Sequence, residues 1–388
     1  MKLKESLTDK TATLGDVPPI SLIIPTRNEA ETIRECIQRA QQVFREMDLA
    51  GEILVADNSS DETAAIANSC GAKVIKPPKL GYGNAYMAGF EQAGGEYIVL
   101  MDGDLTYDPK AIPDMIAILQ SGNYDMVMGS RLKGVILPGA MPALHRYIGN
   151  PALTWILNIL FSSRISDAHC GLRAISKDAL KKLNLRSGGM EFASEMLIEA
   201  ARKDLRVTEV PITYSPRKGL SKLHSFTDGW RHVRFMMLYR PVPFLLVPGL
   251  LTLFFGLTLF AGVYLQGGSR MHSLILGGLL AIIGYQMLLA GLYFEAFGAF
   301  YGLSRPGRIK KMISYYSLEK ELFIGVVLLA IGGLLGLKVM LSWGATGFGA
   351  LDAASNAMMA MIFSILGIQT IFSGMSISLL LLNNGQQD

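Results

Sequence analysis

Cysteine is scarce. The 388 residues hold three, Cys36, Cys70 and Cys170, with neither disulfide nor zinc spacing, which points to a reducing, cytosolic face for the segment that carries them. Residues 1 to 19 are polar and hold no apolar core of signal-peptide length, so the domain behind this tail is expected to stay in the cytosol. The net charge is only +4, and no long basic run or aromatic-basic stripe accompanies it, which argues against a nucleic-acid partner. No Gly-x-Gly-x-x-Gly follows the first strand-like run and no Gly-x-x-x-x-Gly-Lys-Ser/Thr occurs, so dinucleotide and P-loop folds lose their expected marks. Charge is also nearly missing from long segments between 241 and 388, whereas residues 1 to 240 mix charges with short apolar runs. The chain therefore divides into a soluble α/β part and a membrane part.

The first part alternates strand and helix patterns. Ile20-Ser-Leu-Ile-Ile-Pro25 reads as a buried strand before a helix over 30–47. Glu52-Ile-Leu-Val-Ala-Asp57 is a second strand, and Asn58-Ser-Ser-Asp-Glu-Thr63 caps a helix to Ser69. A short strand over 72–76, a glycine stretch from Lys79 to Ala85 with a helix to Ala93, and strands over 97–101 and 125–131 complete βαβ units around a mostly parallel sheet. The fourth strand ends in Asp102-Gly-Asp104. Strand alternation puts both acids on one side at the carboxyl edge, where open α/β sheets bind ligands. Paired carboxylates repel unless a cation joins them, and hard oxygen ligands suit Mg or Mn; a solvated Asp-Gly turn has the same sequence. Asp57 divides equally between a ligand-binding acid and a helix cap or Asx turn. The adjacent His169 and Cys170 read as a packed or hydrogen-bonded pair, and Glu191 with Glu195 as a solvated helix face.

Taken together, Pro25 with Glu29, Asp57 in Ala-Asp-Asn-Ser-Ser-Asp, the 79–85 stretch, Asp102-Gly-Asp104, Gly129-Ser-Arg131, Arg146, Asp167-Ala-His-Cys-Gly-Leu-Arg173, Gly189-Met-Glu-Phe-Ala-Ser-Glu195 and Pro216-Arg-Lys-Gly-Leu-Ser-Lys222 resemble family 2 glycosyltransferases of the A-type fold. Their order is most similar to the polyprenyl-phosphate sugar synthases. The resemblance covers roughly residues 20 to 240. It implies that Pro25, Glu29 and Asp57 hold the nucleoside, that Asp102 and Gly103 lie by the ribose or diphosphate, and that Asp104, with Asp102, binds Mg2+ or Mn2+. Arg131 and Arg146 would face the acceptor phosphate, and Arg217 with Lys222 would close over the donor diphosphate. Asp57-Asn58 replaces a frequent Asp-Asp, and Asp-Gly-Asp the usual Asp-Ala-Asp, so only the flanking acids carry over. The implied activity is inverting transfer of one hexose from UDP-glucose or GDP-mannose to dolichyl or undecaprenyl phosphate. A processive polysaccharide synthase is the nearest alternative, although its Gln-x-x-Arg-Trp element is missing. A nucleotide-sensing membrane channel or scaffold is another.

Residues 142 to 163 are too apolar for an exposed helix and suit either a bilayer interface or a buried structural place. Residues 225 to 240 combine Trp230, Phe235 and Leu238 with Arg231, His232 and Arg234, the composition of a helix lying on an anionic membrane. Four apolar segments follow within 241–388, over 242–265, 273–294, 322–343 and 357–382, each near the ~20 residues needed to span. The loop between the second and third carries Arg305, Arg308, Lys310, Lys311 and Lys320, and the loop after the third has no Lys or Arg. The positive-inside rule therefore puts the 20–224 catalytic domain at the cytoplasmic face. Glycines in the second and third spans permit close helix contact and a homo-oligomer without fixing one.

Overall fold

A computed structural model describes residues 19–219, 225–267, 270–300, 317–349 and 353–382. The chain forms two compact units, Met1–Phe235 and Met236–Asp388. In the first, β1 (Ile20–Thr26), β2 (Gly51–Asp57), β3 (Lys73–Ile75), β4 (Tyr97–Leu100), β5 (Met126–Ile136), β6 (Arg173–Ser176) and β7 (Val207–Tyr214) make one sheet in the order β3-β2-β1-β4-β6-β5-β7. Every pairing is parallel except those of β6, which runs antiparallel to both β4 and β5. Around the sheet lie α1 (Ile33–Glu46), α2 (Thr63–Ser69), α3 (Tyr82–Gln92), α4 (Ile112–Gln120), α5 (Asn150–Phe161), α6 (Lys177–Lys182) and α7 (Phe192–Arg202). Strands β6 and β7 are elements the sequence reading did not separate.

The central strands β1 and β4 are apolar at most positions because a parallel sheet is covered on both faces. In β1, Ile20, Leu22, Ile23 and Ile24 are all fully buried. Helix α1 answers with Ile33, Cys36, Ile37, Ala40, Val43 and Phe44, spaced three and four apart on its buried face. Ser21, a fully buried polar residue of β1, donates to Glu52 at 2.6 Å and accepts from the Gly95 amide at 2.8 Å, which removes the cost of burying its hydroxyl. The strand order reverses about β1, with β2 on one side and β4 on the other, all three parallel. The crevice outside their carboxyl ends is the switch point at which such sheets take ligands.

Residues 142–163 split their two readings between two faces. A π-helical turn, His145–Gly149, runs directly into α5. Thr154, Leu157, Leu160 and Phe161 are buried, while Leu144, Tyr147, Ile148, Trp155 and Ile159 stand more than half exposed.

After α8 (Ser225–Tyr239), the second unit holds α9 (Val247–Leu265), α10 (Met271–Phe300), α11 (Leu318–Ala345) and α12 (Ala354–Leu382). Each contains a stretch long and apolar enough to cross a membrane, over Val242–Leu265, Met271–Gly298, Leu318–Ala345 and Ala354–Leu380. Lys320 opens α11, and the other four cations of its preceding loop lie outside the described residues. The helices pair through small residues. Gly249 and Gly256 of α9 meet Gly284 and Gly277 of α10, and Gly325 and Gly332 of α11 meet Gly367 and Ala360 of α12. The two hairpins repeat one pattern, for Gly284-Tyr-Gln286 and Gly291 in α10 recur at the same spacing as Gly367-Ile-Gln369 and Gly374 in α12. Lipid gives no hydrophobic drive between helices, so close backbone approach and van der Waals contact hold such pairs. A Cβ at Gly256 would lie 2.7 Å from the Leu280 carbonyl carbon and 2.8 Å from the Gly277 oxygen, whereas one at Gly333 meets nothing within 4 Å. Gly256→Val is therefore expected to lower the thermal midpoint of the detergent-solubilised chain by several degrees, as overpacking of about 1–3 kcal/mol would. Gly333→Val should leave it within error, and equal shifts in the two variants would remove the glycine seam as their cause.

Candidate active site

The site is built on strand ends. Past β1 the chain turns at Asn28, which has a positive φ of 54°, and that turn is stitched to the one after β2. The Asn28 amide donates to Ser59 at 2.7 Å, Ser60 donates back to the Asn28 side chain at 2.9 Å, and the Glu29 amide donates to Thr63 at 2.9 Å. Asp57 accepts from Thr26 at 2.7 Å and from both the amide and the hydroxyl of Ser59. It thus serves as the Asx-type anchor of the turn, with Pro25 directly before its partner strand residue Thr26.

Asp102, Gly103 and Asp104 follow β4. Gly103 is pressed against Ile24 and Thr26, each 3.1 Å from where a Cβ would stand, and its carbonyl accepts from Thr32 at 2.7 Å. Asp104 is buried; its Oδ1 accepts from the Thr106 hydroxyl at 2.5 Å and amide at 3.1 Å, through a tight turn with Leu105 at φ 65°. Asp102 accepts from the Tyr82 phenol at 2.9 Å and is crowded by Gly171, where a Cβ would fall 2.6 Å from Oδ2. Burial, followed by the Asp104 charge, pushes the Asp102 carboxyl up to about 6.

The segment after β7 crosses this edge. Ser215 donates from its amide to Thr106 at 2.9 Å, and Lys218 pairs with Glu35 at 3.0 Å. Arg217 between them bridges the acids, with Nη2 3.3 Å from Glu29 and Nε 3.3 Å from Asp104. The second contact is an ion pair without hydrogen-bond alignment, since Nε has no hydrogen-bond partner. Glu29, Asp104 and Arg217 therefore meet at one point, with Asp102 and Asp57 on the flanking strand ends. Lys222 lies outside the described residues.

Arg131 and Arg146 are disposed differently. Arg131, near the middle of β5, is 7% exposed and grips Asp167 through Nε at 2.7 Å and Nη2 at 2.8 Å, its plane 5.1 Å from the Tyr214 ring centre. Arg146 sits on the π-helical turn, half-buried, 5.3 Å from the ring of Tyr147. Among the described residues it has no carboxylate within ion-pair reach. Asp167 and Tyr82 entered the sequence reading only as members of the Asp167–Arg173 and 79–85 stretches, without individual roles, and nothing in the spacing of Thr106 and Glu209 sets them apart. Glu195 departs from its expected solvated face: it is 1% exposed and accepts from the amides of Arg186 and Ser187, tying down the loop that backs α3.

Among the described residues no group of three or more His, Cys, Asp and Glu side chains forms a metal cage. The chemistry of the two acids fits a divalent cation: Asp102 and Asp104 offer only hard oxygens, and their mutual repulsion calls for positive charge.

A model of glycosyl transferase family 2 matches residues 21–183, and one of the glycosyltransferase family 2 C-terminal transmembrane region matches residues 292–381. The low-salt glycan biosynthesis hexosyltransferase Agl6 of Haloferax volcanii is 41% identical over 92% of this chain and 87% of its own length. The chain belongs to glycosyltransferase family 2. It is an integral membrane glycosyltransferase with an A-type catalytic fold and a C-terminal region of four apolar helices. A dolichyl-phosphate hexose transferase of the same organism is 30% identical, over 54% of this chain and 89% of its own. Among solved structures, the mannosyl-3-phosphoglycerate synthase of Rubrobacter xylanophilus aligns with a TM-score of 0.48 and 18% identity, covering 58% of this chain and 74% of that one.

Behind the glycosyltransferase site lies a buried pair of histidines. His169 packs edge-on against His232 with ring centres 4.5 Å apart, and His232 is hydrogen-bonded to Ser194 at 2.8 Å. Both His169 nitrogens are buried without a partner. Burial, then His232, then Arg131 and Arg173 hold its imidazole neutral, well below the ordinary histidine range. The neighbouring Cys170 thiol is pushed up to about 12 by burial, so the pair is packing and not a nucleophile. Because the unfolded chain takes up a proton at His169 near pH ~6.5 and the folded chain does not, this residue subtracts stability as pH falls below that value. His169→Phe should match or exceed the wild-type thermal midpoint at pH 7. It should also flatten the decline between pH 7 and 5, where the native residue contributes up to about 1.4 kcal/mol per pH unit. An unchanged decline would show that His169 is not the proton-linked group.

Proposed function

We propose that this glycosyltransferase moves a single hexose from a nucleotide sugar to polyprenyl phosphate at the cytoplasmic leaflet, in one displacement that inverts the anomeric centre. What supports this reading is the gathering of Glu29, Asp57, Asp102 and Asp104 at strand ends with Arg217 bridging two of them, together with Arg131 on β5 and Arg146 on a turn that carries the exposed apolar residues Leu144 and Ile148. Acids suit the nucleoside and a metal-bound diphosphate, and cations beside an apolar surface suit a phosphate on a lipid. Four apolar helices in the same chain keep such a site at a bilayer, and a dolichyl-phosphate hexose transferase is among its relatives. In this reading 20–224 is the catalytic domain, 225–240 an interfacial helix, and 241–388 the membrane region.

The chemistry follows from the charges. A phosphate monoester is anionic at neutral pH, so its oxygen attacks the anomeric carbon without surrendering a proton, and no strong base is required. As that bond forms, the carbon–oxygen bond to the nucleoside diphosphate breaks and the electron pair leaves with the diphosphate. Asp104, with Asp102, would hold Mg2+ or Mn2+, which supplies charge neutralisation to the departing diphosphate. Glu29 and Asp57 orient the nucleoside. Arg217 exchanges its contacts with Glu29 and Asp104 for the diphosphate oxygens, which returns both carboxylates to the donor and the cation. Arg131 and Arg146 fix the lipid phosphate for in-line attack. Asp104→Asn, assayed in membranes with labelled nucleotide hexoses, polyprenyl phosphate and Mg2+, should reduce lipid-linked hexose formation by about 10²–10³-fold, the usual cost of losing a principal electrostatic stabiliser. Undiminished formation would remove the proposed metal site.

A further inference from the structure

Between α5 and β6 the chain makes a buried turn, Ile165 to Arg173, to which no role in catalysis has been given. Its polar groups reach four elements. Asp167, fully buried, takes two edges of the Arg131 guanidinium and also accepts from the Arg131 amide at 3.1 Å. Ser166 shares a 2.6 Å hydrogen bond with Ser130. Glu209 of β7 accepts from the amides of Ser166 at 2.7 Å and Asp167 at 3.1 Å and pairs with Lys133 at 2.8 Å. On the helix side, Thr154 accepts from the Ala168 amide at 3.2 Å, and Asn158 donates to the Ile165 carbonyl at 2.7 Å and accepts from its amide at 3.3 Å. Arg173 closes the turn from within, donating to the carbonyls of Cys170, Ala168 and Ala193 at 2.9, 3.0 and 2.8 Å.

This wiring joins two residues with no direct connection. Arg131 is on β5, and Arg146 is on the π-helical turn that continues without a break into α5. Both are referenced to the same few residues, Arg131 through Asp167 and Arg146 through α5, Thr154 and Asn158. An arginine side chain has long, free rotamers, and a bidentate carboxylate removes that freedom. Because Asp167 takes Nε and Nη2, it also decides that Nη1 is the nitrogen left facing away from it.

We propose that the Ile165–Arg173 turn is the template that sets the spacing of the two acceptor-phosphate cations, with Asp167 as the positioning residue that aims Arg131. The proposal rests on the reading of Arg131 and Arg146 as acceptor-side groups. Asp167 touches neither substrate; it acts through Arg131. A carboxylate of equal burial that served folding alone would stabilise the domain without regard to which substrate is bound.

A double-mutant cycle in the full-length, detergent-solubilised or vesicle-embedded chain separates the two roles. Wild type, Asp167→Asn, Arg131→Ala and the double variant are assayed for the KM of polyprenyl phosphate, the KM of the nucleotide hexose and the thermal midpoint. Asp167→Asn should raise the lipid-phosphate KM on the order of tenfold with little change in the donor KM, and it should add nothing further in the Arg131→Ala background. Thr154→Val, which removes the hydroxyl accepting from Ala168 and leaves every charge in place, should raise the same KM in the same direction; this variant keeps the test open if Asp167→Asn folds poorly. Additive effects of Asp167→Asn and Arg131→Ala, or equal losses for donor and acceptor in Asp167→Asn and Thr154→Val, would overturn the positioning role. An unchanged lipid-phosphate KM in Arg131→Ala alone would instead overturn the acceptor-site reading beneath it.

Discussion

Carboxylates gathered at one edge of a sheet repel one another, and the catalytic unit is arranged around that repulsion. Each acid finds a different resolution. Asp57 is neutralised by hydroxyls and an amide of its own turn. Glu29 and Asp104 share Arg217. Asp102 accepts from the Tyr82 phenol, yet burial and the neighbouring Asp104 charge leave its carboxyl hard to ionise. A mobile cation, delivered with a diphosphate, would complete what Arg217 does in part. Arg217, on the segment that follows the last strand, thus neutralises two of the acids at once.

The sheet's organisation explains which parts could be read from sequence. Strands β1, β2 and β4 announce themselves as apolar runs, β2 and β4 lead directly into acids, and those acids with Glu29 beyond β1 carry part of the family resemblance. The four spans were equally legible, because length and absence of charge are sufficient to mark them. Strand β6 was not: it is four residues long, begins with a buried arginine, and is antiparallel, so neither length nor period distinguishes it from the loop before it. The structural job of Asp57 and the burial of Glu195 were hidden for a related reason. A carboxylate that accepts from backbone amides has the same sequence appearance as one in water, and only the chain's return from far away reveals the donors. Asp167 is the clearest case, since its partner lies 36 residues earlier on another strand.

The strand-end acids and Arg146 are held in different ways. The acids sit on strand ends and short turns, whereas Arg146 stands on a helical turn among the exposed apolar residues Leu144, Tyr147 and Ile148. Hydrogen bonds from Thr154 and Asn158 to the buried Ile165–Arg173 turn hold that helix in place against the sheet. In the membrane region, two glycine-seamed hairpins of one pattern supply the anchoring. Their repeated Gly-x-Gln spacing was present in the sequence and becomes meaningful only once the helices are seen to pair at those glycines.

The central claim is that a lipid phosphate displaces a nucleoside diphosphate directly, with no covalent sugar intermediate on the protein. The anomeric configuration of the lipid-linked hexose made by the full-length chain in vesicles from an α-linked nucleotide hexose, read by one-bond carbon–proton coupling, tests it most directly. The account predicts a β-linked product; an α-linked product would contradict it.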